Sequence, residues 1–282
     1  MSPISGPHTP MKFGYYTPNF DFCGDVRVLA GLAADAEAAG WDGFFVWDHL
    51  QFTEPVVDPW IALAAMALQT ERIRLGTLVT PVPRRHLGKL AREIITLDHV
   101  SDGRLTVGVG AGYPYLPDYA AFGDGDDPRQ RATALDEALG VLATLLHGQP
   151  VNHHGEHYDI ECAAFTPTVQ QPRVPIWVAA SWPARNPLRR AARWDGLVTA
   201  GTYGLDVAPD DVRSAVDYVT TVRTTDEPFD VIRFGTTEGP SDTAVVDACR
   251  AAGTTWWIES SFTAGGDLEA TRKRITQGPP RV

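Results

Sequence analysis

Two hydrophobic periods alternate along this chain, and that alternation narrows the possible folds more than any other feature. Short β-rich runs stand at 12–19, 43–49, 73–81, 104–112, 175–180, 195–200, 229–237 and 254–261. Between and after them, apolar residues recur at helical spacing over 25–40, 58–70, 84–101, 127–148, 184–194, 209–223, 241–253 and 267–277. Start and stop signals agree: Asp58-Pro59 and Asp127-Pro128 open helices, and Gly40 closes one. Strand–helix units in series imply a parallel sheet with right-handed crossovers. Eight of them in 282 residues favour an α/β fold of the (β/α)8 TIM barrel kind over an open doubly wound sheet. The rhythm pauses at 149–172, where alternating residues and turn formers read as a small hairpin inserted between units four and five.

Residues 11–282 are expected to form one barrel domain, preceded by a disordered tail over residues 1–10. The tail has neither the basic start nor the apolar centre of a secretory signal. No apolar run approaches the ~20 residues of a membrane helix. Cys23, Cys162 and Cys249 are scattered and odd in number, so no disulfide framework or zinc cage is indicated. A cytoplasmic location without membrane association is expected. The net charge of −11 argues against a nucleic-acid partner.

In a barrel of this type the chemistry sits at the C-terminal ends of the strands. The second strand, "GFFVWDHL" (43–50), runs from buried-type residues directly into Asp48 and His49. An imidazole at that rim suits proton transfer near neutral pH. The plainer alternative is that His49 only hydrogen-bonds Asp48 or a backbone carbonyl. Other rim positions are Asn19, Val79, Thr80, Ala111, Gly112, Ala180, Ser181, Thr199 to Gly201, Glu238, Glu259 and Ser260. "GVGAG" (108–112) lacks the helix that a dinucleotide fingerprint requires, so its glycines are read as a close path for a flat cofactor. Ser181 and the first amides of the following helix are a phosphate candidate. Arg84 and Arg85 are a weaker one, and Arg185, Arg189, Arg190 and Arg193 read as a solvated or interface face. "HHGEH" (153–157) has the wrong spacing for a zinc helix, and no metal is expected. Adjacent Trp256 and Trp257 must point to opposite faces of their strand.

The ordered set of segments resembles the luciferase-like monooxygenase superfamily, whose members use flavin or the deazaflavin coenzyme F-420. "MKFGYYTPNF", "AEAAGWDGFFVWDH", "TERIRLGTLVTPVPRRHLGKLAREIITLDHVSDGRLTVGVGAG" and "PIWVAASWPARNPLRRAARWDGLV" carry the resemblance. It implies that His49 lies beside the reactive carbon of the cofactor and is the catalytic residue. It implies a non-proline cis peptide at Leu78–Val79, within one residue, forming with Thr80 a bulge behind the cofactor ring. It implies backbone contacts to the cofactor from Ala111, Gly112, Ala180 and Ser181. The implied activity is hydride transfer between coenzyme F-420 and a small organic substrate, by a homodimer. An FMN-dependent monooxygenase is the alternative, and a flavin-binding protein without turnover a third. One departure stands out. Some deazaflavin-dependent sugar-phosphate dehydrogenases carry a catalytic glutamate just after the strand-four glycines, where this chain has Tyr113. The usual "SDH" before the histidine is "WDH" here.

Overall fold

The computed structural model describes residues 10–52, 54–113, 118–125, 127–200, 207–260 and 267–282. The expected tail at residues 1–9 therefore lies outside the described residues. Eight parallel strands close into a barrel in the order β1-β10-β9-β8-β7-β4-β3-β2. They are β1 (Lys12–Thr17), β2 (Gly43–Val46), β3 (Arg74–Pro81), β4 (Leu105–Gly110), β7 (Ile176–Ala180), β8 (Gly196–Thr199), β9 (Asp230–Gly235) and β10 (Trp256–Ser260). The helices that follow them are α1 (Val26–Ala38), α2 (Pro59–Gln69), α3 (Leu87–Val100), α4 (Pro128–Leu146), α5 (Arg185–Ala191), α6 (Pro209–Val222), α7 (Ala244–Ala251) and α8 (Leu268–Thr276). The insertion is an antiparallel hairpin of β5 (Val151–His154) and β6 (Asp159–Cys162). Among the described residues no helix is long and apolar enough to cross a membrane.

The helices begin where side chains can satisfy their free amides. Asp25, Asp58, Asp127 and Asp267 each accept from an amide of the first turn of α1, α2, α4 and α8. Such caps contribute about 1 kcal/mol each. Helix α3 starts at Leu87, three residues later than its pattern suggests, because Val82–Arg84 forms a short 3-10 turn and His86 takes the cap.

Alternation along each strand divides the core in two. Outward residues such as Tyr15, Phe44, Val107, Val178 and Trp257 pack with the helices. Inward residues form a separate cluster that includes Tyr16, Phe45, Trp177, Ile232, Phe234, Trp256 and Ile258. Trp256 and Trp257 thus take opposite sides, as their adjacency requires. Phe45, Trp177 and Trp256 meet at ring separations of 5.3 to 6.0 Å and block the lower barrel. Glycine supplies the space they need: a Cβ at Gly14 or Gly43 would lie 2.8 or 2.6 Å from Phe45. The hairpin is seated on α4 by one carboxylate. Glu137 accepts from His153 Nε2 (2.8 Å) and from the amides of His157 and Tyr158 (3.0 and 2.8 Å). "HHGEH" is therefore a tethered turn.

Candidate active site

Why strand β2 ends on Asp48 and His49 follows from its alternation. Phe45 and Trp47 belong to the inward cluster, so the next inward position is 49 and the outward one is 48. Asp48 is buried, and its carboxylate accepts from Arg84 Nη2 (2.7 Å), from Arg85 and from Trp60 Nε1 (3.3 Å). The pairing of Asp48 with His49, open from sequence, is not what forms. His49 Nδ1 instead lies 2.7 Å from Oδ2 of Asp118, in the connection from β4 to α4. Arg84 joins the two carboxylates: its Nη1 donates to Asp118 (2.7 Å) while Nη2 serves Asp48. Two carboxylates and two guanidinium groups cancel in charge, and their side chains are at most 16% exposed. Burial pushes the Asp118 carboxyl up, but the His49 hydrogen bond and the His49 and Arg84 charges outweigh it and hold it below the usual aspartate range. His49 keeps 17% side-chain exposure, with Nδ1 the nitrogen tied down.

The neighbouring wall is built by a bulge in β3. Thr77 pairs with Val107 and Thr80 with Val109, so three steps of β3 oppose two of β4. The Leu78–Val79 peptide is cis, at the position the sequence indicates. Leu78 and Val79 turn into the lumen cluster, while Thr80 is buried with its hydroxyl 2.8 Å from that of Thr77. The glycines of β4 are explained by this bulge. A Cβ on Gly108 would lie 2.4 Å from Thr77 O and 2.9 Å from Leu78, and one on Gly110 would lie 3.1 Å from Val79. The close path for a cofactor, inferred from "GVGAG", is first a close path for β3.

Beyond β4, Tyr119 donates to the carbonyl of Ala111 (3.0 Å) and lies under Arg131, whose guanidinium is 4.4 Å from the ring centre. Burial pushes the Tyr119 phenol up to about 12. Gly112 has φ +93°, and a Cβ there would fall 2.5 Å from the Tyr119 ring. At the end of β7, Ala179 faces the lumen and Ala180 faces the helices, so only the backbone of Ala180 is available to a ligand. Ser181 does not cap the next helix. A cis Trp182–Pro183 peptide intervenes, Ala184 is the cap, and α5 has seven residues with Pro187 in its first turn. The phosphate reading of Ser181 with helical amides is corrected accordingly. That of Arg84 and Arg85 is corrected too, because carboxylates already hold both. Arg190 and Arg193 pair with Asp136 of α4 in the same chain, and Arg190 is buried, which corrects the solvated or interface face expected of it.

The remaining rim candidates separate cleanly. Asn19 is buried and clasps Val57 in both directions (2.5 and 2.9 Å). Glu259 faces outward and accepts from Thr237, Trp257 and Arg274. Thr199 donates to Ile232 O, Glu238 is exposed, and Gly201 lies outside the described residues. Phe20, Trp47 and Phe52 meet at 4.5 to 5.5 Å and form an aromatic corner, with Trp47 5.1 Å from the His49 ring. Sequence reasoning missed Asp118, Tyr119 and Ala179. Nothing in an irregular "LPDY" distinguishes its aspartate from any surface residue.

Residues 11–240 match the luciferase-like monooxygenase family. The chain belongs to that family. A luciferase-like relative from Nakamurella multipartita, named F420-dependent glucose-6-phosphate dehydrogenase, is 34% identical over 200 residues, covering 67% of this chain and 56% of that one. The chain thus matches little more than half the length of such curated relatives. The coenzyme F420-dependent tetrahydromethanopterin reductase of Methanopyrus kandleri superposes with a TM-score of 0.76 at 18% identity, covering 96% of this chain and 98% of that one. A monooxygenase from Streptomyces bottropensis gives 0.72 at 21%, covering 95% and 97%. At these identities the two structures establish the luciferase-like barrel and nothing finer.

Proposed function

We propose that this chain is an oxidoreductase that moves a hydride between coenzyme F-420 and a small organic substrate, with His49 as its acid–base residue. The observation that carries this reading is His49 itself, anchored by Asp118 at the open end of the barrel with Nε2 left for a ligand. The wall beside it suits a flat ring: Gly110, Ala111, Gly112, Ala179 and Ser181 present almost no side chain, and the Val79 bulge stands behind them. The backbones of Ala111, Gly112, Ala180 and Ser181 would hold the cofactor, with Leu78 and Val79 against its centre. When bound there, a deazaflavin supplies a carbon that accepts or gives a hydride. His49 Nε2 takes the proton of a substrate hydroxyl during oxidation, or returns it to the oxygen during reduction. Asp118, itself held by Arg84, ties down Nδ1 and so supports the use of the other ring nitrogen.

The names of the F420-dependent relatives support the cofactor. Their named sugar-phosphate substrate is not carried over, because Tyr113 replaces the glutamate noted above. Titration of the purified protein with F-420 and with FMN, followed by absorbance and fluorescence, tests the reading. Saturable binding of F-420 is expected. Binding of FMN without F-420 would overturn it in favour of an FMN-dependent monooxygenase. A homodimer is part of the same reading: Ile61 and Leu68, seven residues apart on α2, are 64% and 78% exposed. Ile61→Glu with Leu68→Glu should yield monomers by light scattering. The buried free thiols Cys23 and Cys249 suit a reducing cytoplasm.

A further inference from the structure

We infer that the substrate is an uncharged molecule with an apolar body, which lays that body against Phe20, Trp47 and Phe52 and presents one oxygen to His49. The inference rests on the acid–base role given to His49 and adds the chemical class of what His49 meets. It starts from the rim as a whole. The segments that join strand ends to helices are 18–25, 47–58, 82–86, 111–127, 181–184, 200–208, 236–243 and 261–267. Together they contain thirteen Asp and Glu, no Lys, and two Arg. Those two are Arg84 and Arg85, already held by Asp48 and Asp118.

The charge is also unevenly placed. Strands β9, β10, β1 and β2 are consecutive around the barrel, and the loops above them form the half of the rim that includes His49. Besides Asp48, already paired with Arg84 and Arg85, the sequence of these loops carries Asp21, Asp25, Glu54, Asp58, Glu238, Asp242 and Asp267 and no basic side chain besides His49. Arg27, in the first turn of α1, is 92% exposed on its side chain and answered by Asp25. The other half differs: Arg129 and Arg185 stand in the first turns of α4 and α5, on the side of Ala111 and Ser181. A cofactor's anionic tail would find cations there. A phosphate or carboxylate on the substrate would face carboxylates with no guanidinium to answer them, in a chain of net charge −11.

What the His49 half does offer is an aromatic corner, with half-buried Phe52 lying over buried Phe20 and Trp47. Phe20 and Phe52 lie 4.5 Å apart, Trp47 closes the corner, and Val56 continues it through its bridge to Phe20. Pockets that select by an apolar wall and one polar group are the usual form of a small-molecule site. Here the polar group is His49 and the wall abuts it directly.

A matched pair of ligands tests this: benzyl alcohol against benzyl phosphate, which share a ring and differ in charge. Binding is read by calorimetry and by the shift of the His49 imidazole resonance, on the protein alone and on protein loaded with F-420. The alcohol should bind at least ten-fold more tightly and should move the His49 signal. Equal or tighter binding of the phosphate, or failure of the alcohol to move His49 at tens of millimolar, overturns the inference. Reading the pair on the unloaded protein as well separates the two failures. Loss of F-420 binding with the preference intact refutes the cofactor assignment alone.

Discussion

Replacing Asp118 with Asn keeps the side-chain volume and removes one charge from a buried cluster. In the native protein that carboxylate receives two short bonds, from His49 and Arg84, both 2.7 Å. Hydrogen bonds to charged groups contribute about 1.5–3 kcal/mol and neutral ones about 1 kcal/mol, so each bond loses roughly 1 kcal/mol. Arg84 keeps Asp48, which limits the total to about 2–3 kcal/mol, below the ~3–5 kcal/mol of a fully broken buried pair. At about 2–4 °C per kcal/mol this is a fall of roughly 5–10 °C in Tm. The pH dependence sharpens the test. The folded Asp118 carboxyl titrates below its ordinary value, because the His49 and Arg84 interactions outweigh burial. Its stabilisation is therefore complete above the ordinary aspartate range and drains away as pH falls through the lower folded value. Urea melts of native protein and Asp118→Asn should differ by a constant amount from pH 7 down to about 5 and converge towards the acid limit of folding. A gap that stays constant to the acid limit, or no gap at neutral pH, would show that Asp118 is not an ionised partner of His49 and Arg84. The same variant should lose up to about 10²-fold in kcat with little change in KM, because His49 loses its anchor rather than its neighbours.

Three further outcomes follow from the same geometry. His49→Ala should cut turnover by ~10²–10⁴-fold with F-420 affinity reduced far less, measured by steady-state rates and titration. Gly112→Ala should destabilise by more than about 1 kcal/mol and weaken F-420 binding, since its φ of +93° and the Tyr119 ring 2.5 Å from a Cβ both oppose the methyl. Glu259→Gln should lower Tm by several degrees while kcat of the folded enzyme is unchanged, because Glu259 serves Thr237, Trp257 and Arg274 outside the lumen.

The barrel was legible because periodicity of two and of 3.6 are both local signals, and each of the eight units carries its own pair. The position of His49 at the rim was legible for a related reason: a strand's alternation and its C-terminal end together fix both depth and direction. Asp118 was not, since it is 69 residues from His49 in sequence and lies in irregular chain with no period to place it. Arg84 and Arg85 misled because a sequence displays their charge but not the two carboxylates that converge on it. "GVGAG" was legible only in part. The need for close approach was real, but at Gly108 the approaching partner is strand β3, and register shifts leave no mark on composition.

The three rings across the lower barrel have a kinetic meaning. Phe45, Trp177 and Trp256 are at most 1% exposed and stop entry from the lower end of the barrel. In the reading proposed above, a flat cofactor on the β4–β7 wall and a substrate beside His49 would both enter from the other end. Whichever entered second would cover the first, and departures would reverse that sequence. Shared entry of that kind would impose an order on binding and release, so the rings at the sealed end would help decide the sequence of events at the open one.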